Sequence, residues 1–101
     1  MLLDGTTVAA NWTALTSSTI QHAIDLSELG RRFSDNNNQE VWTGTMPSGV
    51  SSGSSCGNWT NETANTPYAT IGVTNVTNGA WTNLYDQFCN RTTLRVYCFE
   101  Q

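Results

Sequence analysis

Three cysteines, Cys56, Cys89 and Cys98, fall in a chain of 101 residues, and that odd number constrains the fold more than any other feature. Two can pair and one is left over. A cytosolic domain of this size has no need of them, whereas a small exported domain uses cysteines as staples for a modest core. A Cys56–Cys89 bridge would close a loop of about thirty residues, worth roughly 3–4 kcal/mol by chain entropy. Cys89–Cys98 would close a hairpin-sized loop, and spacing alone leaves both pairings open. The stretch around the last cysteine, Leu94 to Gln101, reads as a strand, with Leu94, Val96 and Cys98 on one face and Arg95, Tyr97 and Phe99 on the other.

The rest of the chain suits one β-rich extracellular domain spanning residues 1–101. Charged residues make up 12%, about half the usual share, and uncharged Thr, Ser and Asn fill the gap. Disorder is disfavoured, because four Trp, three Tyr and three Phe bring large buried areas. The net charge of −4 is set against only Arg31, Arg32, Arg91 and Arg95, with no basic patch for nucleic acid and no attraction to an anionic bilayer. No run approaches the ~20 apolar residues of a spanning helix. The opening residues, with Asp4, carry no signal-peptide pattern, so an export signal is expected outside this sequence.

Organisation follows from short patterns. Asn11 is a good cap for a turn or two of helix in Asn11 to Thr19. Ile20 to Gly30 fits a strand by alternation and a helix by its Gly stop. Arg31 to Glu40 is a polar loop, Val41 to Thr45 a strand, and Met46 to Ser55 a small-residue loop. Thr70 to Leu84 holds another strand and the Asn78-Gly79 turn signal. Each tryptophan, Trp12, Trp42, Trp59 and Trp81, is followed by threonine. The expectation is a ring in the core for most of them and a threonine facing water.

Motifs for chemistry are weak. Gly49 to Gly53 formally fits G-x-S-x-G, but proline and serines precede it and no helical pattern follows. His22, the one histidine, is read as a half-buried strand residue rather than a base. No cysteine or histidine spacing suits zinc, and the carboxylates are scattered; no cofactor and no metal is assigned. Five N-x-S/T sequons, at Asn11, Asn58, Asn61, Asn75 and Asn90, follow from an asparagine-rich composition.

The order of motifs from Val41-Trp42-Thr43-Gly44-Thr45 through Cys56-Gly57-Asn58-Trp59, Ile71 to Asn75, Gly79 to Asn83 and Phe88-Cys89-Asn90 to Tyr97-Cys98-Phe99-Glu100-Gln101 resembles a bacterial extracellular domain family of unknown function. That family was first noted in leptospiral surface proteins and is similar to endostatin. The resemblance implies an α+β, C-type-lectin-like fold of short, mostly antiparallel strands, long loops and one or two short helices. It further implies a Cys56–Cys89 bridge, and Cys98 as half of a bridge to a helix absent from this sequence. On that reading the chain is the C-terminal two-thirds of a domain whose first strand and helix are missing. The calcium-binding triplets of sugar-binding C-type lectins are not matched; Trp81-Thr82-Asn83 is a loose echo.

The sequence reading is therefore a non-enzymatic recognition or adhesion module, extracellular or at a cell surface, meeting a protein or glycan. Its face is placed on the irregular loops between Gly44 and Asp86, with Asn61, Glu62, Tyr68, Asn83, Tyr85 and Asp86 as contact residues. The alternative is a structural subunit of an extracellular assembly, self-associating through the terminal strand or the unpaired Cys98.

Overall fold

The computed structural model describes residues 1–32, 39–62 and 67–98. The β-branched and aromatic run at Val41 becomes β1, Glu40–Trp42, with Val41 buried. The next apolar run becomes β2, Tyr68–Val73, which is buried over Ala69 to Gly72. A strand buried on both faces belongs at the centre of a sheet, and β2 does lie between two others. β3, Tyr85–Phe88, pairs antiparallel with β2, and β1 pairs antiparallel with β2 on the other side. β4, Arg95–Val96, runs parallel to β1 and completes the order β3-β2-β1-β4. The molecule is thus a small α+β domain with a four-stranded mixed sheet.

Register assigns the two faces, since side chains alternate along a strand. Trp42 lies opposite Ile71, and Ile71 opposite Tyr85, on one face; Val41, Gly72, Thr70 and Asp86 share the other. Over the Val41 face, Leu2, Val8, Ile20, Ile24 and Trp81 form the larger core, with Tyr97 packed against it. Gly72 makes that packing possible: a Cβ there would stand 2.0 Å from the Trp81 carbonyl oxygen. Over the Trp42 face, Cys56, Ala69 and Cys89 form a smaller cluster.

The bridge joins Cys56 to Cys89, whose Cα atoms are 5.7 Å apart, and Cys98 is exposed as a free thiol. Of the two pairings that spacing left open, this is the one the resemblance implied. Asn11 caps a single helical turn, α1 (Trp12–Leu15), by accepting from the Ala14 amide at 2.8 Å. Asn78 caps a 3₁₀ turn, Gly79–Trp81, instead of turning a hairpin.

Other expectations are corrected. Ile20 to Gly30 is neither strand nor helix. Its Ile20 and Gln21 amides donate to the carbonyls of Thr77 and Val8, so tertiary partners replace a regular ladder, and a bridge at Leu26 is its one strand-like contact. Accordingly His22 is half-buried off any strand, with Nδ1 2.7 Å from the Ala23 carbonyl. The terminal strand is shorter than read, and its inward residue is Tyr97: Val96 is 65% exposed and Cys98 lies at the surface. Phe99 to Gln101 lie outside the described residues, as does most of the Arg31 to Glu40 loop.

Two of the four tryptophans leave the core. Trp12 is 67% exposed and Trp59 52%, each laid over a glycine in a loop, Gly49 and Gly44 respectively. The threonines that follow the other two do not face water. Thr82 is buried and donates to the Thr45 carbonyl at 3.1 Å, while the Thr43 hydroxyl donates to the Thr82 carbonyl. These two bonds tie Thr82 to the start of the excursion Thr43 to Ser55, which leaves β1 and returns beside β2 at the Ser55–Ala69 bridge.

Candidate functional site

The disulfide end of the sheet gathers the most unusual local structure. After Ser55 the chain makes one helical turn, Cys56–Trp59 (α2), whose residues all have positive φ: 53°, 60°, 60° and 64°. The turn is left-handed. L-residues resist this conformation at roughly 1–2 kcal/mol each, Asn and Gly least. Three restraints hold it. Cys56 is bonded to Cys89; the Ser55 hydroxyl accepts from the Asn58 amide at 3.3 Å; and the Trp59 ring lies against Gly44, edge-on to Trp42 with centroids 6.3 Å apart. Gly44 has φ +59°, and a Cβ there would meet the Trp59 ring at 2.7 Å.

On the opposite face, at the same end, register places Tyr68 beside Phe88 and Thr70 beside Asp86. The two rings pack with centroids 4.9 Å apart and remain 43% and 38% exposed. Two residues along, the buried Thr70 hydroxyl lies 2.8 Å from Asp86 Oδ1 and 2.7 Å from the Ser52 hydroxyl. Asp86 is exposed, and its second oxygen has no partner among the described residues. The result is an aromatic platform continuous with a fixed carboxylate, about 7 Å apart along the strands. Such a surface offers ring area at low entropic cost together with an acceptor for hydroxyl, amide or cationic donors.

The six contact residues named from sequence do not converge on one site. Tyr68 and Asp86 share this platform. Asn61 and Glu62 are exposed just beyond the left-handed turn, and the Asn61 amide donates to the Cys56 carbonyl at 3.0 Å. Tyr85 points to the other face, where its hydroxyl donates to Glu40; that bond raises the phenol above its ordinary range. Asn83 ends the 3₁₀ turn, with Nδ2 3.2 Å from Met46 Sδ. Tyr68, Tyr85 and Asp86 belong to strands rather than to the irregular loops where sequence had put them. Phe88 was missed. Tyr85-Asp86-Gln87-Phe88 has no apolar alternation, and only the period-two match of Asp86 with Phe88 hinted at a shared face.

The residues singled out for chemistry stay apart among the described residues. Ser51 of the G-x-S-x-G match sits in a narrow loop bridged to Thr45, without the strand-to-helix elbow that exposes a nucleophile. Among the described residues no group of three or more His, Cys, Asp or Glu could hold a metal ion, and no helix is long and apolar enough to cross a membrane. All five sequon asparagines are exposed. Compared with known proteins, the chain matches no family model, no curated protein and no solved structure.

Proposed function

We propose that the chain is a non-enzymatic recognition module of an extracellular or cell-surface protein, with the Tyr68–Phe88–Asp86 platform as its contact surface. The observation that carries this reading is the exposed ring pair beside a carboxylate held by Thr70. Two large rings left 43% and 38% exposed in a domain short of apolar residues forgo roughly 1 kcal/mol of burial each, their exposed share of the ~1.5–3 kcal/mol for a full side chain. A partner that covers them recovers it. The Cys56–Cys89 bridge supports an oxidising compartment. The endostatin-like, C-type-lectin-like family remains our reading of the motif order; the mixed sheet and few short helices are compatible with it.

The test is a binding screen of the wild-type chain against panels of glycans and extracellular-matrix proteins, repeated with Tyr68→Ala and Phe88→Ala. The reading predicts hits that weaken at least about tenfold in either variant, the loss of one desolvated ring contact. Hits that bind both variants as tightly as wild type would refute it. A second reading, a subunit of an assembly completed by another chain, is favoured by one separate observation: β4 borders the sheet with Val96 and Cys98 exposed.

A further inference from the structure

We propose that the Tyr68–Phe88–Asp86 platform takes a cationic side chain, an arginine presented by a basic segment of a partner protein, rather than a sugar. The inference rests on the reading that this platform is the contact surface, and it names the chemistry of what covers it.

Three observations lead to it. First, the carboxylate is held in place and only half used. The buried Thr70 hydroxyl gives its one hydrogen to Asp86 Oδ1 at 2.8 Å, and Oδ2 of this exposed residue has no partner among the described residues. An anionic oxygen binds a cationic donor more strongly than a neutral one. Second, the rings lie where the stem of such a side chain would run. Tyr68 and Phe88 pair across β2 and β3 two residues along from Thr70 and Asp86, on the same face, with centroids 4.9 Å apart and both rings exposed. An arginine whose guanidinium meets Asp86 lays its aliphatic stem across that step, and a guanidinium over a ring is attracted by the ring's quadrupole. Third, among the described residues no cation of the chain fills this place. Arg32 is committed to Asp4 and Asp25. Arg31 and Arg95 line a cavity at β4, across the sheet from β3. The influence of Arg91 falls on Tyr85, whose hydroxyl meets Glu40 on the other face.

The polar groups also select against a neutral sugar. Each sugar hydroxyl both donates and accepts, so a glycan needs donors beside the acceptor. Here the hydroxyls next to Asp86 are engaged with one another and with backbone: Ser52 Oγ lies 2.7 Å from Thr70 Oγ1 and 3.3 Å from the Ser54 carbonyl oxygen. Apart from the Tyr68 phenol, what the face offers is acceptor and ring surface. The chain as a whole has a net charge of −4 and no lysine. That sign draws cations at low ionic strength and is screened as salt rises.

The experiment follows amide chemical shifts of the wild-type chain titrated with three probes. They are a Gly-Ser peptide carrying arginines, the same peptide with the neutral isostere citrulline at those positions, and a neutral chitin oligosaccharide. Expected is saturable movement of Tyr68, Asp86 and Phe88 with the arginine peptide, about fivefold tighter than with the citrulline peptide, and an advantage that shrinks in high salt. Asp86→Asn keeps an acceptor for Thr70; it should weaken the arginine peptide about fivefold and leave the citrulline peptide unchanged within about twofold. The contrast between the two peptides is read on the unaltered chain, so it holds whether or not that variant folds. Equal affinity of the two peptides would overturn the proposal. So would saturation of the platform by the oligosaccharide alone, or no binding of the arginine peptide. The recognition reading fails separately: it falls, and the proposal with it, if the arginine peptide binds Tyr68→Ala and Phe88→Ala as tightly as wild type. It stands without the proposal if a neutral ligand is lost in those variants but is indifferent to Asp86→Asn.

Discussion

Replacing Gly72 by alanine adds one methyl where the sheet and the 3₁₀ turn touch. That methyl would stand 2.0 Å from the Trp81 carbonyl oxygen and 2.6 Å from its carbon. Comfortable separations of 3.5 Å or so require the two segments to part by about 1 Å or more. The obstructing atoms are backbone and cannot rotate aside. They are also tied down: the Leu84 amide donates to the Ile71 carbonyl at 2.7 Å, and Tyr97 donates its hydroxyl to that same Trp81 oxygen at 2.8 Å. Overpacking of a core costs about 1–3 kcal/mol, and losing the Tyr97 bond adds about 1 kcal/mol. Alanine returns about 0.5–1 kcal/mol through its lower unfolded-state entropy. The net expectation is a loss of about 2–3 kcal/mol, or roughly 10–20 °C in Tm for a domain of this size. Urea unfolding followed by tryptophan fluorescence measures it. A loss below about 0.5 kcal/mol would refute the close approach of sheet and turn.

Further predictions address the staple, the left-handed turn and two titrating groups. Replacing both Cys56 and Cys89 by serine should cost roughly 3–4 kcal/mol in denaturant unfolding, since the bridged residues are 33 apart in sequence. Asn58→Gly should raise stability by up to about 1 kcal/mol, and Asn58→Val should lower it by about 1–2 kcal/mol, if residue 58 holds its positive φ. Burial raises the Tyr97 phenol above its ordinary 10.0, so its contribution is full below about pH 10 and is lost as pH rises further. Tyr97→Phe should flatten that alkaline loss and cost about 1 kcal/mol at neutral pH. The Thr6 hydrogen bonds, helped by Arg32, lower Asp4 below 3.8. Its stabilisation is full above that value and disappears as pH falls through the lowered one, and Asp4→Asn should flatten the acid limb of a stability–pH curve.

Local rules made the capped turn at Asn11 and the strands at Val41 and Ile71 legible, because each depends on neighbours in sequence. The bridge was legible through the resemblance alone; spacing left Cys89–Cys98 open. What escaped depends on distant partners. Ile20 to Gly30 offers both periodicities, and its fate is decided by carbonyls of Val8 and Thr77. Trp12 and Trp59 look like core rings until the glycines that they cover are placed beneath them. β3 shows no alternation because neither of its faces is fully covered, and that same exposure makes it the candidate border. Tyr68 and Asp86 were named for polarity and position; what joins them is a register that sequence does not print.

The most direct measurement is an amide chemical-shift map of the wild-type chain, titrated with each ligand the screen returns. The account predicts ligand-induced shifts centred on Tyr85–Phe88 and Tyr68. Ligand-induced shifts confined to the Met46 to Gly53 loop or to α1, with β3 unmoved, would contradict the claim that the β3 border is where this chain meets its partner.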